Sequence, residues 1–158
     1  MSLAVQPRVV AARNAAERVR ALNSYFFEDM GFRGDGFLDS RESLVPDDVL
    51  RRRSGYCVGL AAVYLALAGE INLPLRGVST PTHLFVRYDD GREKINVELL
   101  NAGMSFDDNW YARQYHVPDS SAASGTFLKS LTEQEFLGYV YADLGTLYSK
   151  AGDFPACL

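Results

Sequence analysis

The sequence predicts an α+β fold in which one buried helix packs against an antiparallel sheet. The helix is predicted at 57–70, where nearly every face is apolar, because a helix that is hydrophobic all round has to be buried. The sheet is predicted from two runs of alternating residues in 83–99 that flank the dipeptide Asp90-Gly91. Asp-Gly between alternating runs is among the strongest local signals for a β-hairpin.

Length, charge and cysteine content limit the classes of function. The chain has 158 residues, the size of one ordinary domain with a substantial core. Its net charge of −4 and pI near 5.1 argue against nucleic acid as a partner. No apolar run reaches the roughly 20 residues of a membrane span, and no signal-peptide core is present at the N-terminus. Cys57 and Cys157 alone form no disulfide framework, which favours a reduced, cytoplasmic setting.

The N-terminal half is predicted to be mainly helical. One helix is expected over 7–27, followed by a Gly-rich turn at 30–36 and a short helix after Pro46. The buried helix then begins at Cys57, and Pro74 leads from it into a strand.

The hairpin pattern also predicts which residues face each other. With a two-residue turn at Asp90-Gly91, Val86 faces Ile95, and the apolar sets coincide on one face of the pair. On the other face His83 then lies directly opposite Glu98, with Cβ atoms about 5 Å apart. Turn chemistry alone therefore predicts a histidine beside a carboxylate.

The C-terminal part is predicted to contain a loop and then a helix. An aromatic, Asp-rich stretch at 104–117 is followed by a small-residue loop at 118–125. Thr132 and Glu135 form a capping-box pattern that starts the last helix. We therefore predict one domain over 1–130 and a C-terminal helical segment over 131–158.

That last segment also resembles the beginning of a tetratricopeptide repeat. The large, small and aromatic positions of the repeat are occupied by Tyr141, Leu144, Gly145, Tyr148, Gly152 and Phe154. A single repeat cannot bury its own face, so the pattern predicts a longer helical array that recruits a protein partner. An ordinary amphipathic helix is the alternative.

Cys57, His83 and Glu98 together permit nucleophilic catalysis. The N-terminus of a helix favours a thiolate, an imidazole beside it can exchange protons, and a carboxylate can fix the imidazole tautomer. The alternative is that Cys57 is a small buried core residue, as single cysteines often are.

A family resemblance favours the catalytic interpretation. The segment "SGYCVGLAAVYLALAGEINLPLRGV" resembles the nucleophile helix of the transglutaminase-like, papain-like cysteine fold, whose pattern is G-x-C, small and apolar residues, then G-[IL]-P-x-R-x-V. The matching positions are Gly55, Cys57, Ala61 or Ala62, Leu73, Pro74, Arg76 and Val78, while Asn72 stands where glycine is usual.

Two further segments carry the resemblance. "PTHLFVRY" is similar to the family's histidine strand and implies that His83 is the catalytic histidine. "INVELLNAG" is similar to the strand of the third catalytic residue and implies Glu98 there, although aspartate is commoner and Leu99 replaces the usual proline. Asn96 is the alternative orienting residue.

The resemblance covers about 22–110 and extends to the SirB-type branch through "LNSYFFEDMGFRGDG". Members of that branch often continue into tetratricopeptide repeats. The implied activity is a cysteine peptidase or amidase, or a cross-linking transglutaminase, acting on a protein or peptide. A non-catalytic interaction domain on the same scaffold is the alternative.

Other polar residues are assigned lesser roles. Cys57 and His83 lack a second ligand pair at zinc-finger spacing, and the aspartates lack calcium-loop spacing, so no metal or cofactor is predicted. The residues considered were Asp39, Asp107 and Asp108 as cation ligands, His116 as an exposed loop residue, Trp110 and Tyr111 as packing or pocket residues, Asn23 as an oxyanion donor, and Cys157 without a role.

Overall fold

The structure, a computed structural model, describes residues 2–38 and 40–153. Its α-helices are α1 (Ser2–Val10), α2 (Ala15–Asn23), α3 (Pro46–Arg52), α4 (Cys57–Glu70), α5 (Asp108–Gln114), α6 (Asp119–Ala123) and α7 (Glu133–Lys150). Its strands are β1 (Arg33–Gly34), β2 (Ser54–Gly55), β3 (Leu75–Ser79), β4 (Leu84–Asp89) and β5 (Lys94–Val97). A π-helix spans Ser24–Asp29, and short 3₁₀ turns span Arg41–Ser43 and Leu99–Asn101.

The predicted α+β architecture is confirmed. Strands β3, β4 and β5 form one antiparallel sheet in that order, while β1 and β2 pair in parallel. Helix α4 packs against β3 and β4, and most of its residues are buried. The helix begins at Cys57 and ends at Glu70, as its apolar pattern predicts.

The single helix expected over 7–27 is wrong, because the chain breaks between α1 and α2. Asn14 ends the break by capping α2, where its side-chain oxygen accepts a hydrogen bond from the Glu17 N–H at 2.9 Å. An asparagine is a strong N-cap, so a new helix starts there instead of continuing the first. The Gly-rich turn contains the short strand β1.

A tight contact holds the start of α4. A Cβ on Gly59 would lie 2.4 Å from the Ser43 carbonyl oxygen, so the 3₁₀ turn at Arg41–Ser43 can approach α4 only at a glycine. The same carbonyl accepts a hydrogen bond from the Tyr56 N–H at 2.8 Å. The first turn of α4 is thereby fixed in position.

The hairpin forms where predicted, but its register differs. Val86 pairs with Val97 rather than with Ile95, because the loop has four residues, 90–93, instead of two. The Asp90 carboxylate accepts hydrogen bonds from the N–H groups of residues 92 and 93, and this wider turn shifts the pairing by two. A shift by two keeps every side chain on its face of the sheet. His83 and Glu98 therefore share a face but are not directly opposite.

The C-terminal part is more helical than predicted. The small-residue loop at 118–125 contains α6, and the Asp-rich stretch contains α5. Helix α7 has the predicted capping box between Thr132 and Glu135. Apolar side chains of α7 pack against the main core. None of the described helices is long and apolar enough to cross a membrane.

Candidate active site

Cys57 is the first residue of α4, and the residue is only 1% exposed. As a first-turn residue its backbone N–H has no acceptor within the helix. The positive end of the helix dipole also lies here and stabilises a negative charge. The position thus provides both a thiol and a free N–H donor on the same residue.

His83 lies just before β4 in a turn fixed by Thr80. The His83 carbonyl accepts hydrogen bonds from the Thr80 N–H at 2.8 Å and from the Thr80 hydroxyl at 3.0 Å. The imidazole Nε2 is 2.7 Å from Glu98 Oε2, and both side chains are buried, with exposed fractions of 4% and 1%. The structure therefore brings the predicted histidine and carboxylate into contact despite the changed register.

Glu98 is held by hydrogen bonds on both its carboxylate oxygens. Oε1 accepts from the Leu100 N–H at 3.0 Å, because Glu98 caps the 3₁₀ turn at Leu99–Asn101, and this leaves Oε2 for His83. The Glu98 carbonyl accepts from the Gly103 N–H at 2.9 Å. The turn accommodates both departures from the family pattern, the longer acid and the leucine that follows it.

His83 interacts with Cys57 as well as with Glu98. Burial alone would lower the pKa of His83, but the hydrogen bonds with Cys57 and then Glu98 outweigh it and raise that pKa to about 9. An imidazole with this pKa is protonated at neutral pH. The site can therefore hold an imidazolium between a thiol and a carboxylate.

Asn96, the alternative orienting residue, is directed elsewhere. Its Oδ1 accepts from Arg87 Nε at 2.7 Å, and its Nδ2 donates to the Phe106 carbonyl at 2.9 Å and to Asp108 Oδ1 at 2.8 Å. These contacts place Asn96 in a separate cluster beside the site.

An aromatic wall covers His83, and the sequence did not predict its main member. The Tyr115 ring stacks on the His83 ring at 4.5 Å with an angle of 15°. Tyr111 stacks on Phe85 at 3.7 Å, one position along the same face of β4. Burial first, then Glu98 and Cys57, raises the pKa of Tyr115 to about 12. Tyr111 and Tyr115 are four positions apart, which is one helical turn. This spacing was the sequence signal that they lie on one side of a helix.

A cleft of about 260 Å³ opens beside the thiol and the imidazole. It is lined by Tyr56, Cys57, Val58, Thr80, Pro81, Thr82, His83, Leu84, Tyr139 and Asp143. The last two belong to α7, which the sequence did not connect with the site. They too are one helical turn apart, but nothing local shows which face of α7 meets the cleft.

The remaining candidates lie outside this cleft. His116 is exposed, as predicted, and Tyr111 is buried, as a packing residue should be. The Asn23 side chain donates to the Gly103 carbonyl and accepts from the Tyr64 hydroxyl, which assigns it to packing rather than to oxyanion binding.

The aspartates considered as cation ligands have other partners. Asp107 caps α5 through the Trp110 N–H, and Asp108 pairs with Arg87. Within 2–38 and 40–153 no group of three or more His, Cys, Asp or Glu side chains is placed to hold a metal. Asp39, Phe154 and Cys157 lie outside the described residues.

Comparisons with known proteins identify the family. A UPF0162 protein of Xylella fastidiosa is 37% identical over 78 residues, covering 47% of this chain and 27% of the relative. UPF0162 protein YchA of Escherichia coli is 36% identical over 74 residues, 46% of this chain and 28% of the relative. Human F-box only protein 21 is 26% identical over 82 residues, 51% of this chain and 13% of the relative.

The chain thus spans about a quarter of the length of the bacterial relatives it matches. No solved structure matches it. The family model described as "Transglutaminase-like superfamily" matches residues 1–140, so the chain belongs to that superfamily.

Proposed function

We propose that the protein carries out thiol-dependent acyl chemistry on amide bonds, with Cys57 as nucleophile, His83 as acid and base, and Glu98 as the residue that orients His83. The observation that carries this proposal is that one buried imidazole lies 2.7 Å from a carboxylate and lines the same cleft as the thiol. Cysteine-based acyl chemistry is also common in the superfamily.

In the proposed mechanism the Cys57 thiolate attacks the amide carbonyl and forms a tetrahedral intermediate. The His83 imidazolium then donates its proton to the leaving amine, and an acyl-enzyme remains. Because Glu98 occupies Nε2, the mechanism uses the other ring nitrogen, Nδ1, for proton exchange with the thiol and the substrate. Neutral His83 next removes a proton from the incoming nucleophile, which releases the acyl group.

The negative oxygen of the intermediate needs two donors. The N–H of Cys57 supplies one. We propose the Tyr56 hydroxyl as the other, because it lines the cleft beside Cys57. Burial first, then Cys57, raises the pKa of Tyr56, which keeps the hydroxyl protonated and able to donate.

Water as the incoming nucleophile makes the protein a peptidase or amidase, and an amine makes it a transglutaminase. We favour hydrolysis of a protein or peptide, since water is always available. We also propose that the protein is cytoplasmic and that it belongs to the SirB-type branch. Its C-terminal repeat would recruit a protein partner. Exposed Leu137 and Tyr141 on α7 support the repeat, because a neighbouring helix would cover them.

A non-catalytic interaction domain is the second candidate. The observation that favours it is the 1% exposure of Cys57, which restricts access to the thiol. In that case the cleft would bind a peptide without cleaving it.

Alkylation of Cys57 distinguishes the two candidates. We expect iodoacetamide at pH 7 to label Cys57 in the folded protein, mapped by mass spectrometry, and His83→Ala to lower the rate by about tenfold or more. His116→Ala, which removes the exposed histidine, is the control and should leave the rate unchanged. Labelling of Cys57 only after unfolding would establish the interaction domain instead.

A further inference from the structure

A carboxylate with an unpaired buried oxygen lines the cleft of the proposed active site. Asp143 of α7 lines the same cleft as Cys57 and His83. Its Oδ2 atom is buried and has no hydrogen-bond partner among the described residues. Buried carboxylate oxygens are normally paired, so an orphaned one requires an explanation.

The surroundings of Asp143 do not supply that explanation within the protein. The described cleft lining contains no lysine or arginine, and its other ionisable groups are Tyr56, Cys57, His83 and Tyr139. Burial raises the pKa of Asp143, while Lys150, an exposed residue further along α7, acts in the opposite direction. The carboxylate is thus desolvated, and the described cleft lining offers no lysine or arginine to compensate it.

The charges in the cleft favour a positive ligand. The positive charge of a His83 imidazolium is already paired with the Glu98 carboxylate, which contacts its Nε2. Asp143 therefore adds a negative charge that nothing in the cleft balances. Tyr139, one turn before Asp143 on α7, also lines the cleft and contributes an aromatic ring, to which cations are attracted.

We infer that Asp143 is a specificity-determining residue that binds a cationic group of the substrate, an ammonium or a guanidinium, beside the reacting thiol. The inference rests on the proposed function, because it assigns a substrate class to the same site. A cation from the substrate would pair the orphaned oxygen and place the amide next to Cys57. In the free protein the buried, unpaired oxygen of Asp143 is energetically unfavourable. Pairing with a substrate cation would remove that cost.

Charged thiol reagents test the inference without an amide substrate. We would compare 2-aminoethyl, 2-sulfonatoethyl and methyl methanethiosulfonate, in each of which the thiolate attacks the sulfur, forms a mixed disulfide and releases methanesulfinate. Labelling is mapped to Cys57. The ratio of the cationic to the anionic rate should exceed one, and Asp143→Asn should lower it by about tenfold or more.

Two controls separate recognition from other effects. Glu133→Gln changes the same charge on the same helix at an exposed position outside the cleft, and should leave the ratio unchanged. Asp143→Asn should keep or raise the thermal unfolding midpoint, since it removes an unpaired buried charge. A clear drop in that midpoint would assign Asp143 a structural role and overturn the inference.

The outcomes for this inference and for the proposed function are distinct. A reactive Cys57 whose charge preference survives Asp143→Asn overturns the inference alone. A folded protein in which Cys57 is inert even to the neutral methyl reagent overturns the proposed function and the inference with it.

Peptides locate the cation. Two pairs of peptide substrates would be compared, and the members of each pair differ only by lysine or norleucine. The substitution lies on the acyl side of the amide in one pair and on the amine side in the other. The side on which Asp143→Asn removes a lysine preference is the side that Asp143 contacts. No lysine preference on either side would contradict the inference.

Discussion

Two polar clusters lie on the same face of the β4–β5 hairpin and differ in what surrounds them. We call His83 with Glu98 the His83 cluster, and Arg87 with Asn96 and Asp108 the Arg87 cluster. Phe85, stacked on Tyr111, separates them along β4. Each cluster joins a buried side chain on or next to β4 to an acceptor on or next to β5.

The Arg87 cluster is closed. Arg87 is 1% exposed, and its nitrogens donate to Asn96 Oδ1, to the Leu128 carbonyl and to Asp108. These bonds fasten α5 and the segment around Leu128 to the sheet, and α5 leads directly into Tyr115 above His83.

The His83 cluster is open, because Cys57, His83 and the unpaired Asp143 line a cleft. Buried charge on this sheet face therefore serves anchoring where each charged nitrogen has a partner within the protein. Where a member of an ionisable pair on that face lines an opening instead, the pair is available for chemistry.

Removing the thiol should have the largest effect on activity. Cys57→Ala is expected to abolish amide cleavage or transfer, a loss of about 1000-fold or more, because no other group in the cleft replaces the nucleophile. Turnover of a peptide library checks this. The unfolding midpoint should change little, and residual activity close to wild type would place the nucleophile elsewhere.

Changing the two β5 residues should separate the clusters. Glu98→Gln is expected to lower turnover by about 100-fold, because the amide cannot stabilise the imidazolium as a carboxylate does. Asn96→Ala should lower thermal stability through Arg87 and affect turnover less. If Asn96→Ala reduces turnover more than Glu98→Gln, then Glu98 is not the orienting residue.

Removing Arg87 from the Arg87 cluster should lower the stability of the fold. Arg87→Met leaves Asn96 and Asp108 without their partner and is expected to lower the free energy of unfolding by about 2–4 kcal/mol. Urea denaturation measures this loss. Arg76→Met is the control, because its salt bridge with Glu133 is exposed and should contribute less than about 1 kcal/mol. Equal losses in the two variants would contradict the anchoring role.

The smallest effect expected is a shift in the pH profile. Acylation needs protonated His83, so activity should be present below the His83 pKa of about 9 and be lost as pH rises through it. Glu98→Gln removes a group that raises this pKa, and the alkaline limb should move to lower pH. The pH dependence of kcat/KM checks both statements, and an unshifted limb would mean that another group controls it.

Local patterns were sufficient for much of the fold. The limits of α4, strand β3, the hairpin and the capping box of α7 follow from apolar periodicity, Pro74, Asp90-Gly91 and Thr132 with Glu135. Asn72 is another position where the local backbone conformation explains the residue. It stands where the family has glycine and adopts φ 55°, a left-handed conformation that asparagine tolerates better than most residues.

The hairpin was predicted only in part from the sequence. The dipeptide signal located the turn, but the Asp90 side chain decided its length, so the predicted pairs were wrong by two positions. The contact between His83 and Glu98 survived because strand side chains alternate with a period of two. The Glu98 side chain then reached the imidazole diagonally.

By itself the sequence determined the helix that carries Cys57, the two strands next to which His83 and Glu98 lie, and the sheet face that these two side chains share. Only the tertiary structure decided that Tyr115 covers His83, that Asn96 binds Arg87, and that Asp143 enters the cleft. The physical reason is that periodicity and capping act between residues a few positions apart. Contacts between α7, α5 and the start of α4 instead depend on how whole elements pack, and no local pattern encodes that packing.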